Sequence, residues 1–176
     1  MKKGTYQPDK KLVAVCGLFC PACGIFIAHK GGLEERRRMA EDLQVPVEGL
    51  ECDGCRAEKR LAYCETCKMA ACAEEKGLDF CAECEEYPCT ALKEFQASMP
   101  HRIELWQAQV RIKGVGYEKW FEEMLEHYSC AQCGTINSAY HLACRDCGAT
   151  PSCAYVDLHK AEIAAHLSNK QQAPSK

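Results

Sequence analysis

The stretch CAQCGTINSAYHLACRDCG, residues 130–148, decides how the chain is read. It holds two C-x2-C-G turns, Cys130/Cys133 and Cys144/Cys147, with ten residues between Cys133 and Cys144. A zinc ion takes four soft ligands in a tetrahedron, and each turn delivers two neighbouring thiolates. The glycine after each pair, Gly134 and Gly148, frees the backbone to aim amide N–H groups at sulfur. TINSAYHLA between the turns is expected to form the two short strands of a zinc ribbon. Cys153 has no C-x2-C partner and reads as a small apolar filler. His141 reads as an ordinary loop residue, because four cysteines already complete a site.

Outward from that stretch, cysteine remains the dominant fact. The chain has 16 Cys among 176 residues, against only 8% aromatics, far above ordinary usage. Their role depends on compartment. Residues 12–28 are uncharged and follow four lysines, which superficially suggests a leader or anchor. The run is broken by Gly17, Pro21 and Gly24, and it falls short of the roughly 20 apolar residues of a spanning helix. It also lacks a clean small-x-small cleavage pattern. The expectation is therefore a cytoplasmic protein, where Cys pairs hold metal rather than disulfides.

Two further groups of Cys precede the first stretch. One is Cys16, Cys20 and Cys23. The other is a run of eight, Cys52, Cys55, Cys64, Cys67, Cys72, Cys81, Cys84 and Cys89. YCETCKMAAC (63–72) and FCAECEEYPC (80–89) repeat one pattern, aromatic-C-x2-C-x4-C, and read as two similar knuckles. Eight Cys fill two four-cysteine sites. Sequential use gives 52/55/64/67 and 72/81/84/89, which closes the shorter loops, although loop entropy favours this only weakly over a cross-braced arrangement. The first three are one ligand short. If helical, Cys16, Cys20 and Cys23 share a face, and the fourth ligand is His29, an acid, water or a Cys of the run. The C-x3-C-x2-C spacing also matches the cluster loop of radical S-adenosylmethionine enzymes, but no barrel of about 200 residues or more fits this chain. A simpler iron–sulfur site at Cys16/Cys20/Cys23 stays open as the alternative to zinc.

Helical patterns occupy the Cys-free stretches. Leu33–Gln44 carries one stripe and ends before Pro46, and a short helix is expected over 91–97. Residues 101–113 place Ile103, Trp106, Val110 and Lys113 at helical spacing, broadened by Leu105 and Ile112. Gly114 and Gly116 break that helix. Tyr117–Tyr128 then aligns Tyr117, Trp120, Phe121, Met124, Leu125 and Tyr128, the strongest amphipathic segment, as its antiparallel partner. A last helix is expected over 157–167, followed by a frayed polar tail.

The motifs CGLFCPACGIFIA (16–28), CDGCR (52–56), YCETCKMAAC (63–72) and CAECEEYPC (81–89) follow one another with helical spacers. In that order and spacing the first hundred residues resemble the Cys-rich family called Domain of Unknown Function 3795. Residues 130–148 resemble the zinc ribbon that some members append. The resemblance implies metal binding and no particular activity or substrate.

The expected fold class is a small metal-stapled α+β protein, mostly helical and loop-rich, with a C-terminal zinc ribbon. Its units are a Cys-rich domain at 10–98, a helical hairpin at 100–128, the ribbon at 129–156 and a short helix and tail at 157–176. All the cysteines except Cys153 are candidate ligands, for about three to four Zn2+ ions. Metals would replace part of a core poor in large aliphatics. No nucleophile elbow, P-loop, H-E-x-x-H or dinucleotide-binding glycine pattern is present, so the reading leans away from an enzyme. The leading expectation is a zinc-binding recognition or assembly module whose partner is another protein. An iron–sulfur redox or accessory role is second, and nucleic-acid binding through the ribbon third. The formal charge of −3 disfavours nucleic acid and acidic membrane surfaces, and four zinc sites of four thiolates each would carry it to roughly −11.

Overall fold

A computed structural model describes residues 1–96 and 99–172, with side chains described as far as residue 168. The expected boundary at 98 and the tail residues 173–176 lie outside the described residues. The fold is mostly helical with little strand. Among the described residues, β-pairing is confined to isolated bridges, Lys2↔Thr135, Val13↔Phe19 and Ser129↔Ile136. The two strands expected within TINSAYHLA are thus reduced to single bridges. Each bridging residue there pairs with a partner outside the segment, and Ser138–His141 turns back on itself through His141 N–H donating to the Ser138 carbonyl at 3.1 Å.

The first helices form a hairpin, α1 (Gly24–Gly31) and α2 (Leu33–Leu43). Gly32, at φ 132°, makes the turn between them. The acidic Glu34 and Glu35 sit in the first turn of α2, where they complement the helix dipole. Its end is a left-handed Gln44 whose N–H reaches back to Ala40 and Glu41. Only Ala40 of the expected stripe is buried, with Ala28 and Leu50, and Leu33 and Leu43 are exposed. The Cys-rich run carries two short helices, α3 (Ala62–Glu65) and α4 (Lys68–Glu75), then a 3₁₀ turn at Cys81–Glu83 and α5 (Thr90–Gln96).

A second hairpin follows, α6 (Leu105–Val115) and α7 (Tyr117–His127), closed at Gly116 with φ 84°. The inward face of α7 is the expected one: Trp120, Phe121, Leu125 and the following Tyr128 are buried. That of α6 is rotated. Leu105, Ala108, Gln109 and Ile112 are buried, whereas Val110 is 67% exposed. Gln109 can occupy a core position because both ends of its amide are used. Its Nε2 donates to the Val15 carbonyl at 3.2 Å, and its Oε1 accepts the Ala82 N–H at 2.6 Å. The expected last helix is split into α8 (Ala154–Leu158) and α9 (Lys160–Gln172), parted at His159. The backbone stays helical through the segment expected to fray, up to Gln172.

One core unites distant parts of the chain. Phe19 lies 5.9 Å from Trp120, 5.0 Å from Phe121 and 5.8 Å from Tyr128, and Tyr128 stacks on Tyr155 at 4.8 Å between ring centroids. Such aromatic contacts add to the burial itself. Cys20, Cys52, Ile136 and Cys153 belong to the same core. Beside it, Glu104 accepts hydrogen bonds from His127 Nε2 at 2.9 Å and His159 Nε2 at 2.7 Å. That carboxylate ties the start of α6, the end of α7 and the α8–α9 junction together.

Candidate metal centre

The knuckles at 130–134 and 144–148 fold as a matched pair. Gly134 and Gly148 adopt φ 69° and 75°, left-handed values a glycine takes without strain. Each turn is closed by an N–H bonded four residues back, Gly134 to Cys130 at 2.8 Å and Gly148 to Cys144 at 2.9 Å. The sulfurs of Cys130, Cys133, Cys144 and Cys147 all lie within 4.8 Å of one another. Across the pair, Cys130 Sγ is 3.7 Å from Cys147 Sγ, and Cys133 Sγ is 3.6 Å from Cys144 Sγ. Disulfide sulfurs would be about 2.05 Å apart. A tetrahedron of four sulfurs about 2.3 Å from one ion has edges of about 3.8 Å. Two of the six edges match that spacing and the others stay within 4.8 Å, so the four thiols could hold a single tetrahedral ion.

The surroundings of Cys144 and Cys133 favour thiolate. Burial alone would raise the Cys144 thiol, yet the N–H groups of Cys147 and Asp146 and the Asn137 side chain together bring it down to about 6. Hydrogen bonding from Thr135 lowers Cys133. The Ala149 N–H favours the Cys147 thiolate, but the neighbouring thiols outweigh it and push Cys147 up to about 12. This split is what like charges in one site impose: the first thiolates oppose ionisation of the next. A dication at the centre removes that conflict.

Residues with no metal-ligand signature hold the knuckles in register. Asn137 is fully buried. Its Nδ2 donates to the Thr135 carbonyl at 2.9 Å and the Ser152 carbonyl at 3.1 Å, and lies 3.6 Å from Cys144 Sγ. Its Oδ1 accepts the Arg145 N–H at 3.1 Å. The first residues of the chain complete the frame. Lys3 N–H donates to Gly134 O at 2.9 Å, Ile136 N–H to Met1 O at 3.1 Å, and Lys2 Nζ to Cys133 O at 3.0 Å. Sequence reasoning missed Asn137 and Met1–Lys3. A buried Asn looks like any loop Asn, and pairing across more than a hundred residues leaves no local mark. His141 also has a structural task, accepting the Ser138 N–H on Nδ1 at 3.1 Å. Cys153 is buried in the core beside Ser152, whose hydroxyl donates to its sulfur at 3.7 Å.

The other eleven candidate cysteines are arranged differently. Among the described residues, no group of three or more of them meets the 4.8 Å mutual spacing. The helix that would have aligned Cys16, Cys20 and Cys23 does not form. Gly17 turns the chain at φ 86°, and Cys20–Ala22 is a 3₁₀ turn leading into α1. Cys16 is buried against Ala14, Leu92 and Leu105, with Cys55, Cys81 and Cys89 packed around it. Burial raises its thiol well above the usual range. Cys81 is joined to this strand of chain by its N–H on Val15 O at 2.8 Å. Cys20 and Cys52 lie in the main core. Burial moves Cys52 up to about 11 and both Cys64 and Cys81 up to about 12. Cys67, Cys84 and Cys89 are half-buried and Cys72, within α4, is exposed; Cys84 has Lys76 Nζ at 3.5 Å. His29 turns its Nε2 toward Asp53, at 3.5 Å.

No described helix is long and apolar enough to cross a membrane. Residues 12–94 match the model of the family described as Protein of unknown function (DUF3795). The match contains Cys16 through Cys89 and leaves the 130–147 cluster outside it. No curated protein and no solved structure matches the chain.

Proposed function

We propose that this chain, a DUF3795 domain followed by a four-cysteine cluster, is a zinc-binding recognition or assembly module with no catalytic centre of its own. The observation that carries the reading is the tetrahedral fit of Cys130, Cys133, Cys144 and Cys147, with opposed sulfurs 3.6–3.7 Å apart. Four protein ligands leave no position for substrate or water, the pattern of a structural rather than a catalytic site. Close sulfur spacing also suits one ion better than an iron–sulfur cluster, whose cysteines bind different irons bridged by sulfide. In this reading the cluster is a zinc ribbon reduced to its two knuckles. Zinc, when bound, supplies a cross-link between them, and Asn137, Thr135 and the first three residues orient the ligands. A rigid, closed site on a chain of formal charge −3 supports a protein partner over nucleic acid, which needs a basic face. Its expected location is the cytoplasm, where thiols stay reduced.

Elemental analysis of the anaerobically purified chain beside Cys144→Ser tests this. The variant is expected to lose one zinc equivalent. An unchanged metal content would exclude the assignment.

A further inference from the structure

The geometry points to a second four-thiolate metal site, made by Cys20 and Cys23 from one C-x2-C turn and Cys52 and Cys55 from another. This deepens the metal-binding reading above and rests on it. The two turns, CPAC (20–23) and CDGC (52–55), are 32 residues apart in the chain and face each other in the fold. The Cys55 N–H donates to Cys20 Sγ at 3.3 Å, and the two thiols are near enough for each to shift the other's ionisation. Cys23 is close enough to interact electrostatically with both Cys55 and Cys52.

The second turn is pinned to the first by backbone contacts. Gly54 has φ 122°, and a Cβ there would stand 2.5 Å from the Lys11 carbonyl oxygen. Arg56 Nε donates to Val13 O at 2.8 Å, its Nη2 donates to Asp79 O, and its guanidinium covers Phe80. These contacts hold the 52–55 loop against the segment that leads into Cys16 and Cys20.

Both turns repeat the amide pattern of the C-terminal cluster. There, N–H groups two and three residues on, from Asp146 and Cys147, bond Cys144 sulfur. Here, burial raises Cys23 and Cys52, and the Ile25 and Phe26 N–H groups oppose that rise at Cys23 as the Gly54 N–H does at Cys52. Amide dipoles aimed at sulfur favour thiolate, the form a metal takes. Among the described residues the four sulfurs do not meet the 4.8 Å mutual spacing found at 130–147, so metal binding requires them to draw together. Cys64 borders the group, near Cys55, Cys23 and Cys52. It is the competitor for the place assigned to Cys20. The assignment makes the Cys16/Cys20/Cys23 group share its metal with the run that follows, and it replaces the sequential set 52/55/64/67.

The test uses the full chain loaded anaerobically with Zn2+. Chelator is added in steps, each step is pulsed with a thiol-alkylating reagent, and labelled sites are located by mass spectrometry beside the zinc released. Cys20, Cys23, Cys52 and Cys55 are expected to become reactive together as one zinc equivalent leaves. Cys20→Ser is expected to lose one equivalent and expose Cys23, Cys52 and Cys55 while Cys130, Cys133, Cys144 and Cys147 stay protected. Co-release of Cys52, Cys55, Cys64 and Cys67, or of Cys64 in place of Cys20, would overturn the assignment. So would fast labelling of Cys20 and Cys23 in the loaded wild-type chain, whatever the fate of the variant. If the 130–147 thiols were also unprotected there, the zinc-binding reading itself would fall.

Discussion

Replacing Asn137 by Ala tests whether the C-terminal knuckles are held by a side chain that binds no metal. Asn137 has no exposed surface. Truncation removes the acceptor of the Arg145 N–H and the donor to Ser152 O, at 3.1 Å each. The Thr135 carbonyl loses one donor but keeps the Cys130 N–H at 2.9 Å. Two backbone groups are therefore orphaned, at about 1–3 kcal/mol each. Arg145 is half-buried, so water relieves part of its cost, and the sum is about 3 kcal/mol. The contact at 3.6 Å to Cys144 Sγ disappears too. Loss of such an outer support costs about 10–100-fold in metal affinity, or about 1.4–2.7 kcal/mol. The assays are competition for zinc against a chromophoric chelator and thermal unfolding of the loaded chain. Asn137→Asp, which keeps the shape and the Oδ1 acceptor, separates lost volume from lost donation. Zinc affinity within about twofold of wild type in Asn137→Ala, at unchanged melting temperature, would refute the reasoning.

Further outcomes follow from other contacts. Burial first, then the charges of Arg102 and His166, hold His101 at about 4, while its ring accepts from Arg102 Nε at 3.2 Å and meets the Tyr140 hydroxyl at 2.8 Å. The unfolded chain takes up that proton near pH 6.5 and the folded chain only near 4. Stability from this residue is complete above about 6.5 and falls by about 3 kcal/mol as pH drops between those values. Urea midpoints across that range should fall more steeply for wild type than for His101→Gln, and equal slopes would contradict this. Gly54→Ala should cost about 2 kcal/mol or more, from positive φ and the Lys11 carbonyl together. Gly77→Ala, at φ 64° with open space around it, should cost only about 1–2 kcal/mol, and equal losses in denaturant unfolding would count against the close approach. Burial would raise Glu104, but its bonds to His127 and His159 outweigh that and hold it below the usual carboxylate range. Glu104→Gln should lower stability by about 1–3 kcal/mol in the same measurement, and no change would remove it as the tie between α6, α7 and the α8–α9 junction.

Legibility in the sequence tracked the range of the interactions involved. The knuckles were readable because C-x2-C-G states its own geometry, and Gly134 and Gly148 take the positive φ that the motif requires. The face of α7 was readable because Trp120, Phe121 and Leu125 are all apolar and all buried. The face of α6 was misread because one of its core positions is Gln109, whose amide is satisfied by Val15 and Ala82 from far along the chain. Cys16, Cys20 and Cys23 do not share a helix face because Gly17 turns the chain at φ 86° and Pro21 sits in a 3₁₀ turn. Asn137 and the pairing of Met1–Lys3 with Gly134–Ile136 carry no periodic signal at all. How the cysteines of the first ninety residues pair is not legible, because the entropy difference between short and long loops is small beside specific contacts such as Cys55 N–H to Cys20 sulfur at 3.3 Å.

The central claim is one metal ion shared by Cys130, Cys133, Cys144 and Cys147. Anomalous diffraction at the zinc absorption edge, from crystals of the chain purified without added metal, reads it directly. A peak enclosed by these four sulfurs, about 2.3 Å from each, is expected. A map with no peak between the two knuckles, or with their sulfurs joined as disulfides about 2.05 Å long, would contradict it.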